Sequence, residues 1–254
     1  MRNIKLLIQY EGTNYSGWQT QANALAIQEI IEKAIRKVTG EKVNIIGSGR
    51  TDGKVHALGQ VANFYSNSKI PADRFKYALN INMPDDIKII ESVEVDNQFH
   101  SRFDAIKKRY KYLIYNNPMP NPIYRNFAYH IERKLDMEEM QKSLIYFIGE
   151  HDFKGFMGPR TQVTNTIRRI YNIELREIND MVHITIEGNS FLRHMIRIIV
   201  GTLVYIGLGK IQRKDLPEII KSKDRTIAGP TAPPQGLFLE RVFYGNKINM
   251  NSIK

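Results

Sequence analysis

Apolar residues in this chain recur at strand spacing and at helix spacing in one fixed order, and the order occurs twice. Ile4 to Tyr10 reads as a strand, and Ala24 to Val38 carries helical spacing through Ile27, Ile30, Ile31, Ala34 and Ile35 before stopping at Gly40. Val43 to Ile46 and Gln60 to Tyr65 read as two further strands. Pro71 opens a helix to about Ile81, and Ile87 to Val95 closes the first set. The second set runs Arg109 to Tyr115 (strand), Asp136 to Ile148 (helix), Thr166 to Leu175 and Val182 to Glu187 (strands), Ser190 to Leu208 (helix) and Gly236 to Phe243 (strand). A short extra helix, Leu216 to Lys221, precedes the last strand. Two β-α-β-β-α-β units in series predict an α+β chain of two ferredoxin-like halves, 1–105 and 106–254, a topology frequent among RNA-binding modules. Pro118, Pro120 and Pro122 place the boundary in the connection from Asn116 to Lys134.

Composition narrows the partner. Lys and Arg number 37 against 26 Asp and Glu, so the net charge is 37 − 26 = +11. That excess fits a polyanion such as nucleic acid or an anionic membrane surface, and equally a basic protein of a lysine-rich proteome. The absence of cysteine excludes disulfides, thiolate metal sites and cysteine nucleophiles, and fits a reducing cytoplasm. MRNIKLLIQYEG lacks the apolar length and cleavage site of a signal peptide, and the apolar run Ile198 to Leu208 is too short to span a bilayer.

Three stretches could carry chemistry. GSGRTDGKVHALG, which joins the second and third strands, ends like a phosphate-cradling loop. It has Ser48 where that motif needs glycine and Val55 where it needs a hydroxyl for magnesium, which disfavours nucleotide binding of this kind. Two readings of Asp52 stay open. Thr51 and Asp52 set a turn, with glycines supplying positive φ; or a carboxylate among Arg50, Lys54 and His56 is kept ionised as nucleophile, general base or metal ligand. Metal binding is the weakest of these, since further carboxylates or histidines at ligand spacing are lacking. Arg50 and Lys54 suit a substrate that brings its own negative charge, such as a phosphodiester backbone.

In GNSFLRHMIRIIVG a continuous helix would put Arg193, His194, Arg197 and Gly201 on one arc of an otherwise apolar surface. Such a stripe is a solvated face or a place where cations meet anions, among them Asp52 and a substrate phosphate. In KKRYKYLIYN, Lys108, Tyr110, Tyr112 and Ile114 share one face of a strand. Basic residues between aromatics suit base stacking with phosphate contact, although strand tyrosines also fill cores. Trp18, the one tryptophan, reads as core, with Gln19 and Gln21 beside it able to face a nucleic acid.

Together YEGTNYSGWQ, GSGRTDGKVHALGQ, KRYKYLIYN, GEHDFKGF, GNSFLRHMIRIIVG and RTIAGPTAPPQGLFLERVFY resemble the tRNA pseudouridine synthase A family, the anticodon-arm pseudouridine synthases, over nearly the whole chain. The resemblance implies an isomerase that converts uridine to pseudouridine in the tRNA anticodon stem-loop, at positions 38, 39 and 40, with no cofactor and as a homodimer. Its fold would be two ferredoxin-like halves with joined antiparallel or mixed sheets around a basic cleft. By the same resemblance Asp52 would be the nucleophile, Tyr110 would lie against the target uracil, Arg197 would pair with Asp52 and hold the flipped nucleotide, and Leu237 would wall the base. Arg50, Lys54, His56, Arg193 and His194 would line the substrate site. The chain departs from the family in one place: a small or variable residue and then glycine usually follow the aspartate, and here these are Gly53 and Lys54. The competing reading, a non-catalytic RNA-binding protein or chaperone on the same scaffold, would share the charge and the aromatics but have no use for Asp52. A metal-dependent nuclease is disfavoured by the scarcity of clustered carboxylates.

Overall fold

The structure, a computed structural model, describes residues 1–159, 161 and 163–245. Among them the first elements are β1 (Arg2–Tyr10), α1 (Ile27–Thr39), β2 (Ile46–Gly47), β3 (His56–Ser66), α2 (Phe75–Asn80) and β4 (Ile87–Val95). There follow β5 (Ala105–Asn116), β6 (Tyr129–Ile131), α3 (Met137–Ser143), β7 (Gly149–Asp152), β8 (Ile167–Ile178), β9 (Met181–Gly188), α4 (Met195–Gly207), α5 (Leu216–Ser222) and β10 (Leu237–Tyr244). The fold is α+β, in two compact units: Met1–Lys108 with the segment from Phe238, and Arg109–Leu237.

In the first unit β1 runs antiparallel to both β3 and β4, giving the order β4-β1-β3. The outer edge of β3 is shared. Its Ala62 and Asn63 pair antiparallel with β2, while its His56 and Ala57 pair in parallel with Phe238 and Leu239 of β10. Each helix therefore connects parallel strands that have another strand between them, the split β-α-β arrangement of a ferredoxin-like half. Ile4, Leu6 and Ile8 on one face of β1 are fully buried, as are Ile27, Ile31 and Ile35 of α1 and Phe75 and Leu79 of α2. Each such side chain contributes about 1.5–3 kcal/mol by leaving water. The α1 helix stops where the sequence says it should: Gly40 takes φ 76° and donates its N–H to the Arg36 carbonyl. On the other face of β1 the buried amide of Asn3 donates to the carbonyls of Asp96 and Phe99, and Asn63 donates to Asn3. The segment leading into β5 is thus pinned to the sheet.

The second unit carries the strands β5, β9, β8 and β7 in that order, with β6 parallel to the end of β5. Its apolar centre is α4, where Ile198, Ile199, Val200 and Leu203 are fully buried. The expected helix from Ser190 begins only at Met195. Just before it His194 adopts φ 61° and the Gly158 N–H donates to the Arg193 carbonyl, so Arg193 and His194 belong to a turn. The four-residue stripe inferred from a continuous helix reduces to Arg197 and Gly201. Likewise the helix expected from Asp136 to Ile148 ends at Ser143 and tightens into a 3₁₀ turn over Leu144–Phe147, while Asp136 caps it by accepting the Glu139 N–H.

Candidate active site

Between β2 and β3 the chain from Ser48 to Val55 has no regular structure, yet it is tied down almost residue by residue. Ser48 donates its N–H to the Val61 carbonyl at 2.7 Å and its hydroxyl to Gln60 Oε1 at 2.7 Å. Gln60 in turn donates Nε2 to the Gly49 carbonyl at 2.9 Å. Thr51 exchanges a hydroxyl hydrogen bond with Tyr10 at 2.8 Å, and its carbonyl accepts the Trp18 N–H at 3.1 Å. Past Asp52, the Lys54 N–H donates to the Tyr15 carbonyl, and the Val55 N–H returns to the Asp52 carbonyl. His56 is buried, stacks on Phe238 at 4.7 Å between centroids, and accepts the Gly12 N–H on Nδ1 at 3.0 Å. In its neutral form the imidazole therefore carries its proton on Nε2.

The YEGTNYSGWQ segment supplies the other wall of this loop. Gly17 forms a lone β-bridge with Asp52, at φ 115°, and a Cβ there would stand 2.5 Å from the Thr51 carbonyl oxygen. Gly47 lies against the Trp18 indole with equally little room. Trp18 is core, as its default reading expects. Gln19 faces Arg50: its Oε1 accepts from Arg50 Nε at 3.0 Å while its Nε2 donates to Gln28 of α1. Asp52, half-buried, thus sits on backbone fixed from both sides, with exposed Arg50 and Lys54 flanking it. Lys54 itself takes φ 66°. The left-handed conformation that a glycine would supply falls on the lysine, and Gly53 does not take it over.

In the second unit Tyr110 is buried in β5 with its ring edge-on to Phe191 at 5.3 Å. Arg197 is half-buried on α4; its Nε donates to the Ala232 carbonyl at 2.7 Å and its own carbonyl accepts the Ala232 N–H. This close approach needs Gly201, whose Cβ would fall 1.8 Å from the Pro230 carbonyl oxygen. Tyr112 anchors the far end of the same loop by donating to the Pro233 carbonyl at 2.7 Å, and burial pushes its phenol above the ordinary tyrosine range. Leu237, the first residue of β10, is buried. Arg193 is exposed and donates to the Pro159 carbonyl, and the His194 ring packs on Gly158.

The first unit thus carries Arg50, Asp52, Lys54 and His56 in one loop; the second carries Arg193, His194 and Arg197 at and just before the start of α4, Tyr110 on β5 and Leu237 at the start of β10. The supporting roles of Tyr10, Gln19 and Gln60 escape sequence reasoning. The signal for Gln60 was there, a polar residue between the apolar Ala57–Leu58 and Val61–Ala62 pairs of the HALGQVANF strand.

A family model described as tRNA pseudouridine synthase matches residues 6–104 and 144–245. The chain belongs to the tRNA pseudouridine synthase family. Members of this family are isomerases that make pseudouridine from uridine. A tRNA pseudouridine synthase A of Thermoanaerobacter pseudethanolicus is 52% identical over 244 residues, covering 96% of this chain and 100% of the relative. One of Acetivibrio thermocellus matches to the same extent, and a Clostridium tetani protein named tRNA pseudouridine synthase A 2 is 48% identical over 245 residues, 96% of this chain and 99% of its own. Among solved structures, a chain of an archaeal box H/ACA sRNP Nop10–Cbf5 complex aligns with 89% of this chain and 59% of its own at TM-score 0.37 and 11% identity, a likeness that carries no argument. Among the described residues no helix is long and apolar enough to cross a membrane.

Proposed function

We propose that this chain isomerises uridine to pseudouridine in the anticodon stem-loop of tRNA, at positions 38, 39 and 40, with Asp52 as the nucleophile. The observation that carries the reading is the fastening of Asp52: a carboxylate set on backbone bound on both sides, in the loop that resembles the family's own. In the reaction the C1′–N1 glycosidic bond breaks, the uracil turns, its C5 joins C1′, the C5 hydrogen leaves as a proton, and N1 takes up a proton. Bonds and electrons balance within the nucleotide, so neither a redox group nor a cofactor enters. Tyr110 and Leu237 supply apolar surface for the base, and Arg197 holds the nucleotide turned out of its stack. The exposed cations Arg50, Lys54 and Arg193 suit phosphate contacts, and His56 and His194 complete the proposed substrate-binding set. The chain acts as a homodimer in the cytoplasm, in line with its family resemblance and its lack of cysteine.

Tritium release from tRNA labelled at uridine C5, measured with the protein and with Asp52→Asn, tests the reading. Release by the parent and a loss of several orders of magnitude in the variant, with tRNA binding kept, is the expected result; equal release by both ends the role of Asp52. Tight tRNA binding without release from either would favour an RNA-binding protein. Light scattering of the purified chain checks the dimer.

A further inference from the structure

The sequence pattern groups Lys108 with the tyrosines of β5, but its side chain reaches the loop that carries Asp52. Its Nζ donates to the Ser48 carbonyl at 2.6 Å, and an ideal Cβ built on Gly49 would stand 2.9 Å from the same nitrogen. The loop ties of Ser48, Gly49 and Thr51 described above join neutral groups. The Lys108 contact is charge-assisted, a class about twice as strong. Ser48 and Gly49 stand four and three residues before Asp52, at the point where the chain leaves β2. Lys108 is backed in turn by regular structure, since it lies within β5, the strand that follows the segment that Asn3 pins to the sheet.

We infer that Lys108 is a positioning residue for the isomerisation: its ammonium holds the Ser48–Gly49 backbone and thereby the register of Asp52. This rests on the reading of Asp52 given above. Burial, and then the Arg102 guanidinium, draw the Lys108 pKa down to about 8, so the ammonium has left water for this contact. Taking a cation out of water works against folding, so a lysine kept here serves something other than stability.

The test compares Lys108→Met, Lys108→Arg, Gly49→Ala and the double variant that combines Lys108→Met with Gly49→Ala, alongside Asp52→Asn, in single-turnover and steady-state assays on tRNA. Lys108→Met is expected to lower kcat about 10- to 100-fold, the scale of an ångström-level misplacement, with KM for tRNA held within about threefold. Its thermal midpoint should be unchanged or raised. Lys108→Arg should restore most of the rate. Gly49→Ala displaces the ammonium without removing it and should also slow turnover; combined with Lys108→Met it should add little, because both act through one contact. Rates for Lys108→Met within threefold of the parent, multiplying losses in the double variant, or a loss that follows unfolding and that arginine does not repair would each overturn the inference while Asp52→Asn stays inactive. An active Asp52→Asn would instead remove the reading beneath it.

Discussion

Asp52 and Arg197 are held by opposite means. Asp52 stands on irregular chain whose polar groups are satisfied one at a time: Gln60, Trp18 and Tyr15 bond its backbone, and Tyr10 bonds the Thr51 hydroxyl. Arg197 stands on a regular helix whose hydrogen bonds are internal, and an outside loop is pressed onto it through Gly201 and clasped by Ala232. The first seat depends on many small interactions, and the second on one steric allowance. Loss of a single tie should therefore be tolerated better in the loop than loss of space is at α4.

The largest effect should come from Gly201→Ala. A Cβ at 1.8 Å from the Pro230 oxygen cannot be accommodated by side-chain motion, so the 228–233 backbone must move, at a cost of about 3 kcal/mol in denaturant unfolding. Gly17→Ala comes next, at about 2 kcal/mol, since φ 115° and the Thr51 carbonyl at 2.5 Å are both unfavourable to a side chain. If Gly17→Ala proves the costlier of the two, the loop is the more rigid seat and the contrast is reversed. Tyr10→Phe removes one tie, Thr51's hydroxyl partner, and should cost about 1 kcal/mol near neutral pH. The same residue sets an alkaline limit. Burial raises the phenols of Tyr10, Tyr112 and Tyr244 above their usual value near 10, so folded and unfolded chains are alike below that pH. Above it only the unfolded chain gives up these protons, and stability should fall as pH rises past 10. An unfolding series from pH 9 to 11 should show this fall, shallower in Tyr10→Phe. The smallest effect has the opposite sign: Lys54→Gly relieves a left-handed lysine and should stabilise by up to about 1 kcal/mol. No gain would mean that the Lys54 side chain is held well enough to offset its backbone strain.

Much of this architecture is legible in the sequence where burial imposes a period. Ile87–Val95 begins and ends where its alternation does, and α1 buries Ile27, Ile31, Ala34 and Ile35 as its spacing requires. Legibility fails where short-range geometry decides. The apolar Val43 to Ile46 run yields only Ile46–Gly47 of strand, and the polar GEHD and three-residue YHI strands have too little pattern to announce themselves. The start of α4 could not be read from apolarity, because Leu192 is buried in the turn as it would be in a helix. At the site, the grouping of Arg50, Asp52, Lys54 and His56 was plain from adjacency. That His56 would turn inward to Gly12 and Phe238 was not, because both partners are distant in sequence.

That distance also orders events during synthesis. The ring covering His56 belongs to Phe238, which is 238 − 56 = 182 residues further along. At ribosomal rates of roughly 5–20 residues per second, about 9 to 36 seconds separate the two. Throughout that interval the nascent Asp52 loop lacks its β10 edge, so the Asp52 seat is finished only after Phe238 has been made.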